Sequence, residues 1–183
     1  MYEDIGVGTP DRLQRLWAPY RSKYIASTPR DEKGSSDPFV QIPSMSDEEG
    51  LIVARGETVY AVLNLYPYNA GHILVVPYRK VAEIEALTAG ESAELMRFVT
   101  LAVKTLKAVS DPEAINVGMN LGRASGGSIG DHLHVHVVPR WAGDSNFMTV
   151  ITGTKVLPQL LRETRQLLAE SWKEVAAQQT GGE

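Results

Sequence analysis

Two periods of apolar residues run along the chain, one near 3.6 and one of 2, and they divide it into helices and short strands. Near the start, Leu13, Leu16, Trp17, Tyr20 and Tyr24 fall at helical spacing behind Thr9, a candidate N-cap, and Pro10 at the first helical position. The clearest helix is predicted over residues 88–110. Thr88 and Glu91 have capping-box spacing, Leu95, Phe98, Val99, Ala102, Leu106 and Val109 form one stripe, and Asp111-Pro112 stops it. A last helix begins near Pro158, with Leu157, Leu160, Leu161, Leu168, Trp172 and Val175 on one side. Strand signals lie between these helices. Residues 51–54 are apolar, Gly56-Glu57 makes a turn, and 58–64 sets Val59, Ala61 and Leu63 against Tyr60, Val62 and Asn64. A loop with Pro67, Asn69 and Gly71 leads into a strand over 72–77. Residues 114–121 place Ile115, Val117 and Met119 on one face, a glycine-rich loop spans 122–130, and strands are predicted over 132–139 and 147–151.

Short antiparallel-type strands with helices between and after them predict an α+β fold with a sheet of about five strands, a long helix and flanking terminal helices. No repeat of 20–50 residues interrupts this order. The chain reads as one structural domain: residues 1–50 carry a helix and a segment, 51–151 the core, and 152–183 a C-terminal helix and tail. Residues 27–50 are rich in Ser, Pro, Asp and Glu, with only Phe39, Val40 and Ile42 as anchors, which predicts an extended surface segment.

Composition narrows the chemistry. At 183 residues the chain can bury roughly 70% of its unfolded surface without a metal or disulfide staple. Cysteine is absent, which removes disulfide frameworks, Cys–zinc sites, iron–sulfur clusters and thiol nucleophiles. The 18 basic and 22 acidic side chains give a net charge of −4, against a protein that coats nucleic acid. No apolar run approaches the ~20 residues of a membrane span. Residues 1–10 lack the basic-then-apolar pattern of a secretory leader. The expectation is a cytoplasmic enzyme or binding protein with no membrane partner.

Three of the four histidines are His132, His134 and His136, alternating with Leu133 and Val135. In a strand these imidazoles would share a face about 6.6 Å apart, with Leu133, Val135 and Val137 turned to a core. Such a row can be a polar strand face, a zinc site or a nucleophile for phosphorus chemistry. The loop before it favours the last, since Gly126, Gly127 and Ser128 can offer N–H groups and a hydroxyl to phosphate oxygens.

The run from His132 to Val138 resembles the signature of the histidine triad superfamily. The resemblance covers roughly residues 51–151. It extends to Asn64, followed by Gly71-His72 and a strand ending at Pro77, and to Asn120 with Gly126, Gly127 and Ser128. It implies a histidine triad fold and a covalent nucleotidyl-histidine mechanism. His134 matches the nucleophile, His136 its partner on the phosphate side, His132 an orienting residue and His72 a histidine that props the row. Ser128 matches a residue near the leaving-group oxygen, Asn120 an amide on phosphate or ribose, and Asn64 a ribose ligand. Trp141 is a candidate for stacking on a ligand. Branches with transferase activity usually carry Gln where this chain has His136, and hydrolase branches usually carry Gln where it has Gly127.

With its flanking segments, the chain resembles the actinobacterial diadenosine tetraphosphate phosphorylases of that superfamily. The implied reaction is phosphorolysis of diadenosine tetraphosphate to ATP and ADP. The implied partners are a dinucleoside polyphosphate, inorganic phosphate and further copies of the chain, as a homodimer or higher even-numbered oligomer with the long helix at the interface. No cofactor is expected to bind tightly, with Mg2+ at most accompanying the nucleotide. Hydrolysis of dinucleoside polyphosphates or nucleoside phosphoramidates is the alternative, and a zinc- or nucleotide-binding protein without turnover stands in another class.

Overall fold

The computed structural model describes residues 37–125, 129–144 and 159–180. In chain order the regular elements are α1 (Pro38–Gln41), β1 (Ile52–Arg55), β2 (Val59–Leu63), β3 (Ile73–Pro77), α2 (Ala89–Ser110), β4 (Ala114–Met119), β5 (Val135–Arg140) and α3 (Leu161–Thr180). The strands form one sheet in the order β1-β2-β3-β5-β4, each neighbour antiparallel. This is the expected α+β architecture.

Alternation along the strands sorts their side chains between two cores. Val59, Ala61 and Leu63 of β2, Ile73 and Val75 of β3, and Val135 and Val137 of β5 face the helices. There they meet Leu95, Phe98, Val99, Ala102 and Leu106 of α2 and Leu168 and Trp172 of α3, with the Phe98 and Trp172 rings 5.3 Å apart. On the opposite face Tyr60, Val62, Leu74 and Val76 gather around Phe39. All five residues of β2 are therefore buried, the signature of a strand covered on both sides.

Both the start and the stop signals of α2 are realised in geometry. The Thr88 hydroxyl accepts from the Glu91 N–H while the Glu91 carboxylate accepts from the Thr88 N–H. The helix ends with Asp111 in the left-handed region. Arg79 clamps the Glu91 carboxylate and, with the Thr88 amide, holds its pKa at about 2. Helix α3 begins at Leu161, three residues after the proposed start, and Leu160 remains 69% exposed while Leu168 and Trp172 are buried.

Two expectations need correction. The reading of residues 27–50 as extended fails for the part that is described. Asp37 caps α1 through Oδ1, which accepts from the Phe39 N–H, Pro38 fits the first turn, and residues Ile42–Ser44 continue as a 3-10 turn. Phe39 is buried, its carbonyl accepts from the Tyr60 hydroxyl, and Arg55 donates to the Pro43 and Met45 carbonyls, which together hold the segment on the sheet. Second, the histidine-bearing strand β5 starts at Val135, not at His132. Continuing the β3–β5 register would set Leu133 opposite Pro77, which has no N–H to give. The Leu133 N–H bonds instead to the Val81 carbonyl, 2.6 Å away. Among the described residues strand β4 is an edge: Ile115 and Met119 touch the core, whereas Val117 is 49% exposed. The helix expected near Leu13, the strand over 147–151 and the loop residues Gly126, Gly127 and Ser128 lie outside the described residues.

Candidate active site

The histidines collect on the sheet face away from α2, because His136 of β5 lies opposite Leu74 of β3, a residue of the Phe39 cluster. On its other side the partner is Gly118 of β4, where a Cβ would meet nothing within 4 Å. His134 and His136 stand with ring centroids 4.9 Å apart, and His72 lies 5.2 Å from His136. His132 and His134 precede the strand; Val135 and Val137 are buried in the core on the helix side, and Leu133 is buried as well.

The hydrogen bonds fix which nitrogen of each ring carries a proton. The Tyr68 N–H points at His72 Nδ1, 3.1 Å away, so that nitrogen must accept. His72 Nε2 is then protonated and donates to His136 Nδ1 at 3.0 Å. His136 in turn carries its proton on Nε2; the Asn120 side-chain nitrogen stands 3.3 Å from that atom, so the amide must turn over to accept the N–H with its oxygen. His134 Nδ1 donates to the His132 carbonyl at 2.8 Å, which leaves Nε2 as the atom with a lone pair. Among the described residues no hydrogen bond engages that nitrogen.

Electrostatics keep this set neutral. Burial, reinforced by His136 and His134, pushes His72 down to about 3. Burial and then His134 push His136 down to about 4. Burial also lowers His134, against the pull of its bond to the His132 carbonyl. A buried neutral imidazole with one oriented lone pair is equipped to attack an electrophilic phosphorus, and its neighbour His136 presents an N–H suited to a phosphate oxygen.

The loop between β2 and β3 sets His72 in place. Gly71 has φ +82°, a left-handed conformation that delivers His72 into β3, and a Cβ there would meet Leu106 at 3.1 Å. Asn64 Oδ1 accepts from the Tyr66 N–H, and its amide nitrogen is 3.4 Å from His72 Nδ1. The residue expected at ribose thus also closes this loop. Tyr68 stacks over His136 at 5.7 Å and 15°. At the far end of β5, Asp144 accepts from Arg140, from Asn69 and from the Trp141 N–H, which fixes the turn carrying Trp141. Arg140 and these donors depress the Asp144 pKa strongly.

His72, His134, His136 and Asn120 therefore converge as expected, with Asn64 beside them and Trp141 on a turn after β5. His132 differs from its expected place in the row. Its Nδ1 meets Asp37 at 2.8 Å and its Nε2 meets the Pro77 carbonyl at 2.9 Å, both in the protein interior. Asp37, Phe39, Tyr68 and Asn69 are site neighbours that the motif does not include. The Asp37-Pro38 pair is itself an N-cap signal, and it locates α1. Among the described residues no three His, Asp or Glu side chains are grouped to hold a metal ion.

Comparison with known proteins agrees with this geometry. A family model described as HIT domain matches residues 46–143. AP-4-A phosphorylase of Mycobacterium tuberculosis is 62% identical over 174 residues, covering 92% of this chain and 89% of its own. Among solved structures, a hypothetical histidine triad nucleotide-binding protein of Sulfolobus tokodaii is 26% identical with a TM-score of 0.62, over 76% of this chain and 93% of that one. A Zn-bound histidine triad family protein of Mycobacterium smegmatis shares the fold at 18% identity, TM-score 0.61, over 76% of this chain and 94% of that one.

Proposed function

Because the chain belongs to the HIT domain family, we propose that it phosphorolyses diadenosine tetraphosphate, acting as a nucleotidyltransferase that yields ATP and ADP. The observation that carries this reading is the likeness, along nearly the whole of both chains, to the mycobacterial AP-4-A phosphorylase.

In this reading His134 Nε2 attacks the α-phosphorus next to one adenosine. The P–O bond to the β-phosphate breaks, ATP leaves, and the adenylyl group stays on the imidazole. The positive charge that develops on the ring is shared through Nδ1–H with the His132 carbonyl. His136 donates its Nε2 proton as a hydrogen bond to a non-bridging oxygen, supported by His72. An oxygen of inorganic phosphate then attacks the same phosphorus, His134 departs with its original lone pair, and ADP forms. Asn64 serves the ribose, Asn120, Gly126, Gly127 and Ser128 serve the phosphates, and Trp141 stacks on the substrate. No tightly bound cofactor enters this scheme; Mg2+ comes with the nucleotide.

Among the described residues no helix is long and apolar enough to cross a membrane, and we place the reaction in the cytoplasm. We assign the working form to a homodimer or higher even-numbered oligomer. The test is to incubate the protein with diadenosine tetraphosphate, with and without phosphate, and separate the nucleotides. ATP with phosphate-dependent ADP is expected. ATP with AMP at every phosphate concentration would make the chain a hydrolase, and no turnover with stoichiometric zinc would make it a binding protein.

A further inference from the structure

The segment ahead of the matched HIT region reaches into the site, since the family match starts at residue 46 and Asp37 and Phe39 lie before it. The Asp37 side chain is only 8% exposed and that of His132 not at all. Oxygen Oδ1 of Asp37 accepts from the Phe39 N–H at 2.9 Å, and Oδ2 faces His132 Nδ1 at 2.8 Å. Lys80 lies 3.4 Å from the same Oδ2 and bonds to Asp131 at 2.7 Å. The Phe39 ring packs edge-on against His132 at 5.5 Å and tilted against His134 at 4.9 Å. Its carbonyl is held by the buried Tyr60 hydroxyl at 2.8 Å. Both nitrogens of His132 thus meet oxygen acceptors, the Asp37 carboxylate and the Pro77 carbonyl, so the ring donates twice and cannot turn without losing a bond.

We propose that Asp37 is a positioning residue for the nucleophile: it clamps His132, whose main-chain carbonyl aims His134, and it holds Phe39 against both rings. The inference rests on the reading of His134 as nucleophile. The geometry has an electrostatic consequence. A second donor-only imidazole beside His134 opposes positive charge on it, and the Asp37 carboxylate offsets that, in the same direction as its influence on the His134 proton affinity. The charge on adenylated His134 is therefore tolerated because a carboxylate stands one ring away. Among the described residues, Lys80, Asp131, Tyr60, His72, His132 and His136 are the other titratable groups around this pair.

Asp37→Asn separates the roles. Its amide oxygen still caps Phe39, while its NH2 faces His132 Nδ1 and removes the charge. Wild type and variant are compared by rapid-quench mass spectrometry of His134 adenylation, by kcat and KM, and by melting temperature. We expect adenylation and kcat to fall roughly 10- to 100-fold in Asp37→Asn, with KM within twofold and the melting temperature little changed. Asp37→Ala should add a loss of thermal stability through the missing cap. Unchanged adenylation in a folded Asp37→Asn protein overturns the proposal. A measurement on the wild-type protein decides the clamp independently: 15N-histidine NMR should show both His132 nitrogens protonated, and a bare Nδ1 would overturn it. Absence of adenylation in the wild type would instead fall on the nucleophile reading, leaving the NMR result to judge the clamp.

Discussion

Replacing His72 by Phe removes two ring nitrogens while keeping a ring of similar size between Tyr68 and His136. The wild-type imidazole is fully buried, accepts from the Tyr68 N–H and donates to His136 Nδ1. Phe leaves His136 Nδ1 without its donor. One orphaned buried acceptor costs about 1–3 kcal/mol of stability. The catalytic cost arises from the same bond. Without the His72 proton, His136 Nδ1 can itself become protonated, which moves the N–H away from the side that faces Asn120 and the substrate. Losing one charge-directed donor, at about 1.4–2.7 kcal/mol, means a 10- to 100-fold slower release of ATP. His72→Gln is the control, because its amide can accept from Tyr68 with the oxygen and donate to His136 with the nitrogen. Initial rates of ATP formation and melting curves should rank wild type above Gln and Gln at least several-fold above Phe. A folded His72→Phe protein with kcat within twofold of wild type would refute the relay of tautomers.

Acid should loosen the fold as well as stop the reaction. His72 and His136 have folded-state pKa values depressed to about 3 and about 4 from the ordinary 6.5, so below 6.5 the unfolded chain binds more protons and stability falls with pH. The contribution is fully present above 6.5 and is lost toward pH 4–3, at up to about 1.4 kcal/mol per pH unit per histidine. Urea unfolding from pH 7 to 4.5 should show this slope, and a flat profile would count against neutral buried rings. Ser128→Ala, in the loop expected to hold phosphate, should cost roughly 1–3 kcal/mol of transition-state stabilisation, read as a lower kcat/KM. Unchanged kinetics would remove Ser128 from the site.

The periodicity exposes most of the scaffold because each signal has a local physical cause. The Thr88–Glu91 box, the α2 stripe and the alternation in β2 act within a few residues, and each recurs in the structure, save that Val109 at the end of the stripe is 36% exposed. The start of β5 is not local. It depends on Pro77, more than fifty residues upstream, failing to donate at the position opposite Leu133. The same holds for His132. Spacing sets it in a row with His134 and His136, but its ring is committed to Asp37 and Pro77, contacts that only the tertiary fold creates. Polar composition also misled over residues 37–44, where a cap and one buried aromatic outweigh the Ser, Pro and acidic content. His72, His134 and His136 are legible because strand alternation and loop spacing preserve their neighbourhood; the proton positions that give each a role come from the Tyr68 N–H, the bond from His72 to His136 and the His132 carbonyl.

In the proposed reaction His134 carries the adenylyl group between ATP release and phosphate attack. Mixing the protein with diadenosine tetraphosphate in the absence of phosphate, quenching within milliseconds and sequencing the adenylated peptide by mass spectrometry locates that group. A chase with phosphate then reports its fate. One adenylyl group is expected on His134, formed with one equivalent of ATP and converted to ADP by the chase. An adenylyl group on another residue, or ADP formed by wild-type enzyme with none on His134 at any time, would contradict it.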